Sequence, residues 1–161
     1  MLLLKLIDKM AFFQPFTSQE RDLLVEGESY FVTYPPKTTF IREGAADDAM
    51  YILLKGRVAV MKNADPDRPL ATLEPGAIIG ELSFLTGKPR GTNVVTAEEA
   101  TLFRLDGDSM AALDFRMQIK VKDQLIRVLV DRLEQTNQTL LRQKEMNRTL
   151  AEALSKLQPH L

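Results

Sequence analysis

The residues of this chain best suited to bind an anion lie together between Gly80 and Arg90. A glycine at position 80 lets the backbone approach a ligand closely. A helical turn that starts at Glu81 would present the free amides of residues 81–83, and backbone amides at the start of a helix attract anions. Arg90 follows a Gly-Lys-Pro turn, so its guanidinium can return to the same place and hold a phosphate through two hydrogen bonds. The spacing therefore predicts a phosphate-binding turn.

The carboxylate of Glu81 would repel a phosphate unless it serves another part of the ligand. Ribose hydroxyls are its natural hydrogen-bond partners, and phosphate and ribose in one small site indicate a nucleotide. From the residues alone there is an alternative. Glu81 and Arg90 could form a surface ion pair worth less than about 1 kcal/mol, with Gly80 as an ordinary turn glycine.

The composition argues against several other kinds of site. The 161 residues include no cysteine and one histidine, His160, which disfavours a disulfide scaffold, a thiolate or histidine metal site and a nucleophile–histidine pair. The formal net charge of −1 is not that of a general binder of nucleic acid or membranes. No segment approaches the roughly 20 apolar residues of a membrane span. We predict a cytoplasmic protein that is not an enzyme and has no metal or cofactor.

Glycine and proline divide the chain. All eight glycines lie between Gly27 and Gly107, whereas residues 108–158 contain neither glycine nor proline. The first part must turn often and the second need not turn at all. We therefore predict a folded domain over residues 1–115 and a long helix over residues 116–161.

Short segments rich in β-branched and aromatic residues, separated by turn residues, occupy residues 29–106. They predict a mainly β jelly-roll barrel of about eight strands, with a helical turn at 81–85 between two strands. Short helices precede the barrel, one of them started by a capping box of Thr17 and Glu20. The predicted strands are 29–34, 38–41, 49–54, 57–62, 70–73, 93–97 and 101–105.

Asp108 and Ser109 are predicted to cap the helical tail, with a short helix to about residue 115 and a long one over about 117–157. At 1.5 Å per residue the long helix would span roughly 60 Å, more than so small a domain can cover. Two series of residues recur along it at heptad spacing. They are Ile126, Leu133, Leu140, Asn147, Leu154 and Leu161, and Leu129, Thr136, Gln143, Leu150 and Leu157.

This heptad pattern, with its polar residues in the middle, is typical of a two-stranded coiled coil that carries a register-setting stretch. It predicts a homodimer. The alternative is an amphipathic helix packed on its own domain, which would explain residues 119–133 but not the spacing beyond Leu140.

The phosphate-binding turn resembles the cassette of the cyclic-nucleotide-binding domain family, which bacterial catabolite activator proteins, protein kinase A regulatory subunits and cyclic-nucleotide-gated channels share. The family cassette reads roughly Phe-Gly-Glu-Leu-Ala-Leu, a short gap, then Pro-Arg-Ala-Ala/Ser-Thr, and residues 79–84 and 89–92 follow that order. Residues 42–44, 50–53 and 56–58 resemble the family's strand–turn–strand signature, and residues 102–106 its closing strand. The resemblance covers residues 6–140 approximately.

The resemblance implies roles for the cassette residues. Glu81 would accept a hydrogen bond from the ribose 2′-hydroxyl, Arg90 would pair with the cyclic phosphate, and backbone amides would complete the site. The implied ligand-binding residues of the cassette are Ile79, Gly80, Glu81, Leu82, Ser83, Arg90, Gly91 and Thr92. In parts of the family a hydroxyl directly after the arginine favours cGMP. Gly91 lacks one, which favours cAMP over cGMP here.

Residues 132–137, Arg-Leu-Glu-Gln-Thr-Asn, are similar to Arg-Leu-Gln-Val-Thr-Ser in the dimerisation helix of the catabolite activators. In that group the threonine contacts the adenine amino group and the next residue reaches the ligand of the partner chain. The resemblance therefore adds Thr136 and Asn137 to the ligand-binding residues. The other interpretation of Thr136 is a polar residue tolerated in the helix seam.

After Asn137 the pattern remains helical, without the helix-turn-helix domain of the catabolite activators, so we expect no DNA binding from this chain. The leading prediction is a cAMP-binding regulatory homodimer that passes ligand binding through the helix to an unidentified partner protein. Two alternatives stay open. One is a ligand-free coiled-coil interaction module, and the other is a sensor of another nucleotide such as a cyclic dinucleotide.

Overall fold

A computed structural model describes residues 2–158 of the chain. Pro159, His160 and Leu161, on which the sequence predictions drew, lie outside the described residues. The chain divides into two compact units, Met1–Val121 and Lys122–Leu161. The domain boundary between residues 115 and 116 stays a prediction from composition.

The first unit contains eight strands, β1 to β8 in chain order, arranged as a jelly roll of two antiparallel four-stranded sheets. They are Phe31–Tyr34, Thr39–Ile41, Met50–Lys55, Val58–Met61, Ala71–Leu73, Ile78–Ile79, Asn93–Thr96 and Ala100–Leu105. The strand order is β1-β8-β3-β6 in one sheet and β2-β7-β4-β5 in the other. The predicted fold class is therefore confirmed. The predicted ranges overlap seven of the eight strands and miss β6, whose two residues are too few to show a pattern. The predicted range 29–34 began two residues early, because Glu28–Tyr30 forms a 3-10 turn before β1.

The core between the two sheets is formed by buried residues that come from most of the strands and their ends. They are Ile41, Ala49, Tyr51, Leu53, Val58, Ile79, Val94, Ala100 and Leu102. β3 is buried without interruption from Met50 to Leu54. Its sequence therefore lacks the alternation of apolar and polar residues that is typical of a strand with one solvent-exposed face. On the neighbouring strand β8, Phe103 packs edge-on against Phe13 of the N-terminal segment, with 5.1 Å between ring centroids.

Two short helices precede the strands, α1 (Leu2–Asp8) and α2 (Ser18–Glu26), joined through a 3-10 turn. The predicted capping box is confirmed. Thr17 Oγ1 accepts from the Glu20 amide at 3.2 Å, and Glu20 Oε2 accepts from the Thr17 amide at 2.7 Å. The Lys120 ammonium also donates to Glu20 Oε2, at 2.5 Å. The carboxylate that caps the helix thus also forms an ion pair with Lys120, which lies near the end of the first unit.

Helix α3 (Glu81–Thr86) follows β6, and helix α4 (Gly107–Ala112) follows β8. The predicted cap of the helical tail at Asp108 and Ser109 is wrong. Asp106 is the N-cap of α4, because its extended backbone places Oδ1 where it accepts from the Ser109 amide at 2.8 Å. α4 also ends three residues before the predicted position. The long helix α5 (Phe115–Leu157) begins earlier than predicted and ends at Leu157, as predicted.

The second unit consists of the continuation of α5. Every residue from 130 to 158 is exposed, including a series of leucines whose exposed fractions range from 48% at Leu140 to 76% at Leu157. Within the described part of the chain, nothing covers this series. None of the helices that the structure describes, α5 included, combines the length and the apolar character that crossing a membrane requires.

Candidate functional site

Gly80 lies at the junction of β6 and α3, where the predicted site begins. Its φ of 77° and ψ of 13° place it in the left-handed region as the N-cap of α3. A Cβ built on Gly80 would lie 2.5 Å from Nη1 of Arg90 and 2.9 Å from the carbonyl oxygen of Ala49. Both the dihedral angles and the close approach therefore require glycine. The absence of a side chain at Gly80 allows the Arg90 guanidinium to pack against the main chain.

The Arg90 side chain is buried, with 4% of the residue exposed. Nη1 donates to the carbonyl of Gly80 at 3.0 Å, and Nη2 donates to Asp47 Oδ2 at 2.7 Å and to the carbonyl of Ala49. Among the described residues, Nε has no hydrogen-bond partner. A buried donor on a charged group is costly to leave unpaired. The arrangement is therefore suited to receive an anion.

The main chain of Arg90 is held by the loop that precedes β3. Its amide donates to the carbonyl of Ala45 at 2.9 Å, and its carbonyl accepts from the amide of Gly44 at 2.8 Å. The Arg-Glu-Gly block at residues 42–44 carried part of the family resemblance without an assigned role. In the fold, this block fixes the backbone of the residue predicted to bind phosphate.

Asp47 is a site residue that sequence reasoning missed. Partial burial raises the pKa of its carboxyl. The hydrogen bonds from the Arg90 side chain and the Ala49 amide, together with the charges of Arg90 and Arg104, lower it more, so the pKa lies below its ordinary value of 3.8. The carboxylate is therefore ionised at neutral pH and balances the buried guanidinium. A signal was present, because a buried arginine needs a counter-charge and the acidic pair Asp47-Asp48 lies just before β3.

The first turn of α3 alternates between buried and exposed residues. Glu81 is 4% exposed and Ser83 is 6% exposed, whereas Leu82 is 61% exposed. The partial positive charge at the start of a helix favours a carboxylate there. The alternative of a surface ion pair between Glu81 and Arg90 is wrong, since both residues are buried.

The remaining predicted residues are distributed between the two units. Ile79 is buried on β6 and pairs with Tyr51 of β3, while Gly91 is exposed and Thr92 half-buried directly before β7. The fold of the first unit thus brings Gly80 and Arg90 into contact. Thr136 and Asn137 are exposed residues of α5 in the second unit, and their predicted contact with the base stays a prediction.

Comparison with known proteins places this site in a family. The family model of the cyclic nucleotide-binding domain matches residues 31–116, which include all eight strands and the whole cassette. A CRP-like cAMP-activated global transcriptional regulator of Mycobacterium tuberculosis is 31% identical over 111 residues, 68% of this chain and 49% of the relative. A cyclic AMP receptor protein of Thermus thermophilus is 30% identical over 151 residues, 90% of this chain and 68% of the relative.

The chain thus spans about half the length of the mycobacterial relative. Among solved structures, a cyclic nucleotide-binding domain from Methylobacillus flagellatus KT superposes with a TM-score of 0.70 at 26% identity, covering 88% of this chain and 82% of that one. The two relatives are named for regulation and reception rather than for catalysis. With the fold, the cassette and its buried arginine in place, the chain belongs to the cyclic nucleotide-binding domain family.

Proposed function

We propose that this chain is a cytoplasmic regulatory protein, not an enzyme, that binds cAMP through residues 79–83 and 90–92 and relays binding through α5 to a partner protein. One observation carries the proposal. Arg90 is buried and its Nε has no partner among the described residues, although its other contacts hold it firmly against Gly80 and Asp47. Family membership supports a cyclic nucleotide as the ligand, and the names of both relatives refer to cAMP.

The proposed roles follow from the donors and acceptors of the site. The Arg90 guanidinium donates to the cyclic phosphate, since it has more N–H donors than its three protein acceptors use. The buried carboxylate of Glu81 accepts from the ribose 2′-hydroxyl, and the amides of Leu82 and Ser83 complete the phosphate site. Asp47 orients the guanidinium and does not touch the ligand.

The preference for cAMP rests on two sequence features. Gly91 offers no hydroxyl beside Arg90, where a hydroxyl would favour cGMP. Thr136 is proposed to recognise the adenine amino group, by resemblance to the catabolite activators, and Asn137 to reach the ligand of the other subunit.

The proposed homodimer rests on α5. A helix in water owes most of its stability to packing of an apolar face, yet residues 130–158 are all exposed within this chain. The heptad spacing of the leucines and the central polar residues Thr136, Gln143 and Asn147 favour a second copy of the chain as the covering partner. Ligand binding would then shift the populations of two helix arrangements.

Isothermal titration calorimetry of the purified chain with cAMP and cGMP tests the proposed ligand. We expect one site per chain and tighter binding of cAMP. Arg90→Lys keeps the charge and loses the planar fork, and should weaken binding by about 1.5–3 kcal/mol. Arg57→Lys is the matched control, because the exposed Arg57 side chain pairs with Glu98 at the surface, with 3.0 Å between Nη2 and Oε2.

Thermal unfolding of both lysine variants shows whether the fold is retained. Absence of heat with either nucleotide at two temperatures, so that zero enthalpy cannot hide binding, would refute cyclic mononucleotide binding. Equal affinities for wild type and Arg90→Lys would refute the role of Arg90. Heat with a cyclic dinucleotide alone would favour the alternative ligand class.

A further inference from the structure

Beside the proposed phosphate site, a lysine with no assigned role holds the residue that follows Arg90. Lys62 comes directly after β4, and its Nζ donates to the carbonyl oxygen of Gly91 at 2.6 Å. The same ammonium lies 3.5 Å from Oε1 of Glu43. The Lys62 side chain is 43% exposed and that of Glu43 is 26% exposed, so the contact lies at the rim of the domain.

Glu43 connects this lysine to the neighbouring segments. Its Oε2 accepts from the amide of Asn63 at 2.7 Å, and its own amide donates to Oδ1 of Asn93 at 2.8 Å. The side-chain amide of Asn93 in turn donates to Oδ1 of Asn63 at 2.6 Å. Three segments far apart in the sequence therefore meet here: the loop before β3, the end of β4 and the start of β7.

These contacts hold the chain on both sides of Gly91. Arg90 is fixed by main-chain hydrogen bonds to Gly44 and Ala45, and Asn93 is fixed by its side chain. Gly91 lies between them, is exposed, and has no Cβ to restrict its dihedral angles. The hydrogen bond from Lys62 holds the carbonyl oxygen of Gly91 between these two fixed residues.

We propose that Lys62, steered by Glu43, is a positioning residue for cyclic nucleotide binding: it holds the Gly91 carbonyl and so orders residues 90–92 before the ligand arrives. Ordering a segment in advance removes an entropy cost from binding. This inference rests on the proposed function of the cassette. It adds a contribution to affinity from a side chain outside the cassette.

Replacing Lys62 with methionine tests the proposal, because methionine keeps most of the apolar stem and loses the ammonium. We expect about fivefold to tenfold weaker cAMP binding by calorimetry. Lys62→Arg keeps a donor and a charge and should restore most of the affinity, a rescue that a purely structural role does not require. Glu43→Gln removes the charge that steers Lys62 and should weaken binding by about twofold to threefold.

Lys88→Met is the matched control. Lys88 lies in the same loop, two residues before Arg90, and its ammonium makes no hydrogen bond or ion pair to any residue that the structure describes. The Lys88→Met variant loses one positive charge, as Lys62→Met does, but keeps the hydrogen bond from Lys62 to Gly91. Equal weakening in Lys62→Met and Lys88→Met would overturn the proposal in favour of a general charge effect.

Two further outcomes separate the inference from the function on which it rests. If the wild type binds cAMP and Lys62→Met binds it with the same affinity, the positioning role is overturned and the proposed function stays intact. No binding of cAMP by the wild type would overturn both. Should Lys62→Met fail to fold, as judged by its melting temperature, Lys62→Arg and Glu43→Gln decide: unchanged affinity in Glu43→Gln together with reduced affinity in Lys62→Arg would contradict the proposal.

Discussion

Replacing Gly80 with alanine tests whether the packing of Arg90 on the main chain prepares the site. The new Cβ would meet Nη1 of Arg90 at 2.5 Å and the carbonyl oxygen of Ala49 at 2.9 Å, both closer than non-bonded atoms tolerate. Alanine would also have to adopt a φ of 77°, which costs about 1–2 kcal/mol. Crowding of the packed atoms adds about 1–3 kcal/mol. We therefore expect the free energy of unfolding to fall by about 2–5 kcal/mol.

Gly87→Ala provides the matched control for this experiment. Gly87 has a similar φ of 68°, but no heavy atom lies within 4 Å of the place that an added Cβ would occupy, so only the conformational cost of about 1–2 kcal/mol applies. Urea unfolding of both variants isolates the cost of crowding Arg90. Calorimetry should then show cAMP affinity reduced by at least tenfold or so in Gly80→Ala, because the guanidinium must move, and nearly unchanged in Gly87→Ala.

Two results would refute this reasoning. Equal unfolding free energies for the two alanine variants would mean that Arg90 does not pack against Gly80. A large difference in stability with equal cAMP affinities would mean that the packing serves the fold and does not prepare the guanidinium for a ligand.

Three further predictions concern the counter-charge, the dimer and the base. Asp47→Asn should lower the free energy of unfolding at neutral pH. Because the folded-state pKa of Asp47 lies below 3.8, the stability advantage of the wild type is full above pH 3.8 and shrinks as the pH falls through the folded-state pKa. A pH-independent difference in urea unfolding would contradict the ion pair. Leu140→Lys, in the proposed seam, should give monomers in sedimentation equilibrium, whereas Leu141→Lys, also exposed but outside the seam, should leave the dimer intact; equal masses would contradict the seam. Thr136→Val should weaken cAMP more than cGMP in competition titrations, and equal weakening would contradict a contact with the adenine amino group.

Features set by neighbouring residues were predictable from the sequence. The Thr17–Glu20 capping box forms within three residues of chain, and the short helix α3 lies between two glycines that both adopt positive φ. Most of the long run without glycine or proline folds as α5. In each case a side chain reaches its own local backbone, or a dihedral preference selects one conformation, so no distant contact has to be known. The family resemblance assigned roles to more of the cassette residues than the local patterns alone did.

Contacts between distant segments depend on how the strands pair and the sheets pack. Asp47 pairs with Arg90 across 43 positions and Lys62 reaches Gly91 across 29, because the pairing of the strands brings their loops together at one edge of the barrel. The choice of Asp106 over Asp108 as the cap of α4 depends on where β8 ends. Local dihedral and hydrogen-bonding preferences made the order of the strands, turns and helices, and the cassette with its glycine and arginine, predictable from the residues alone. Which carboxylate balances the arginine and which lysine holds the next residue emerged only once the sheets had packed, since those partners are chosen by proximity in space.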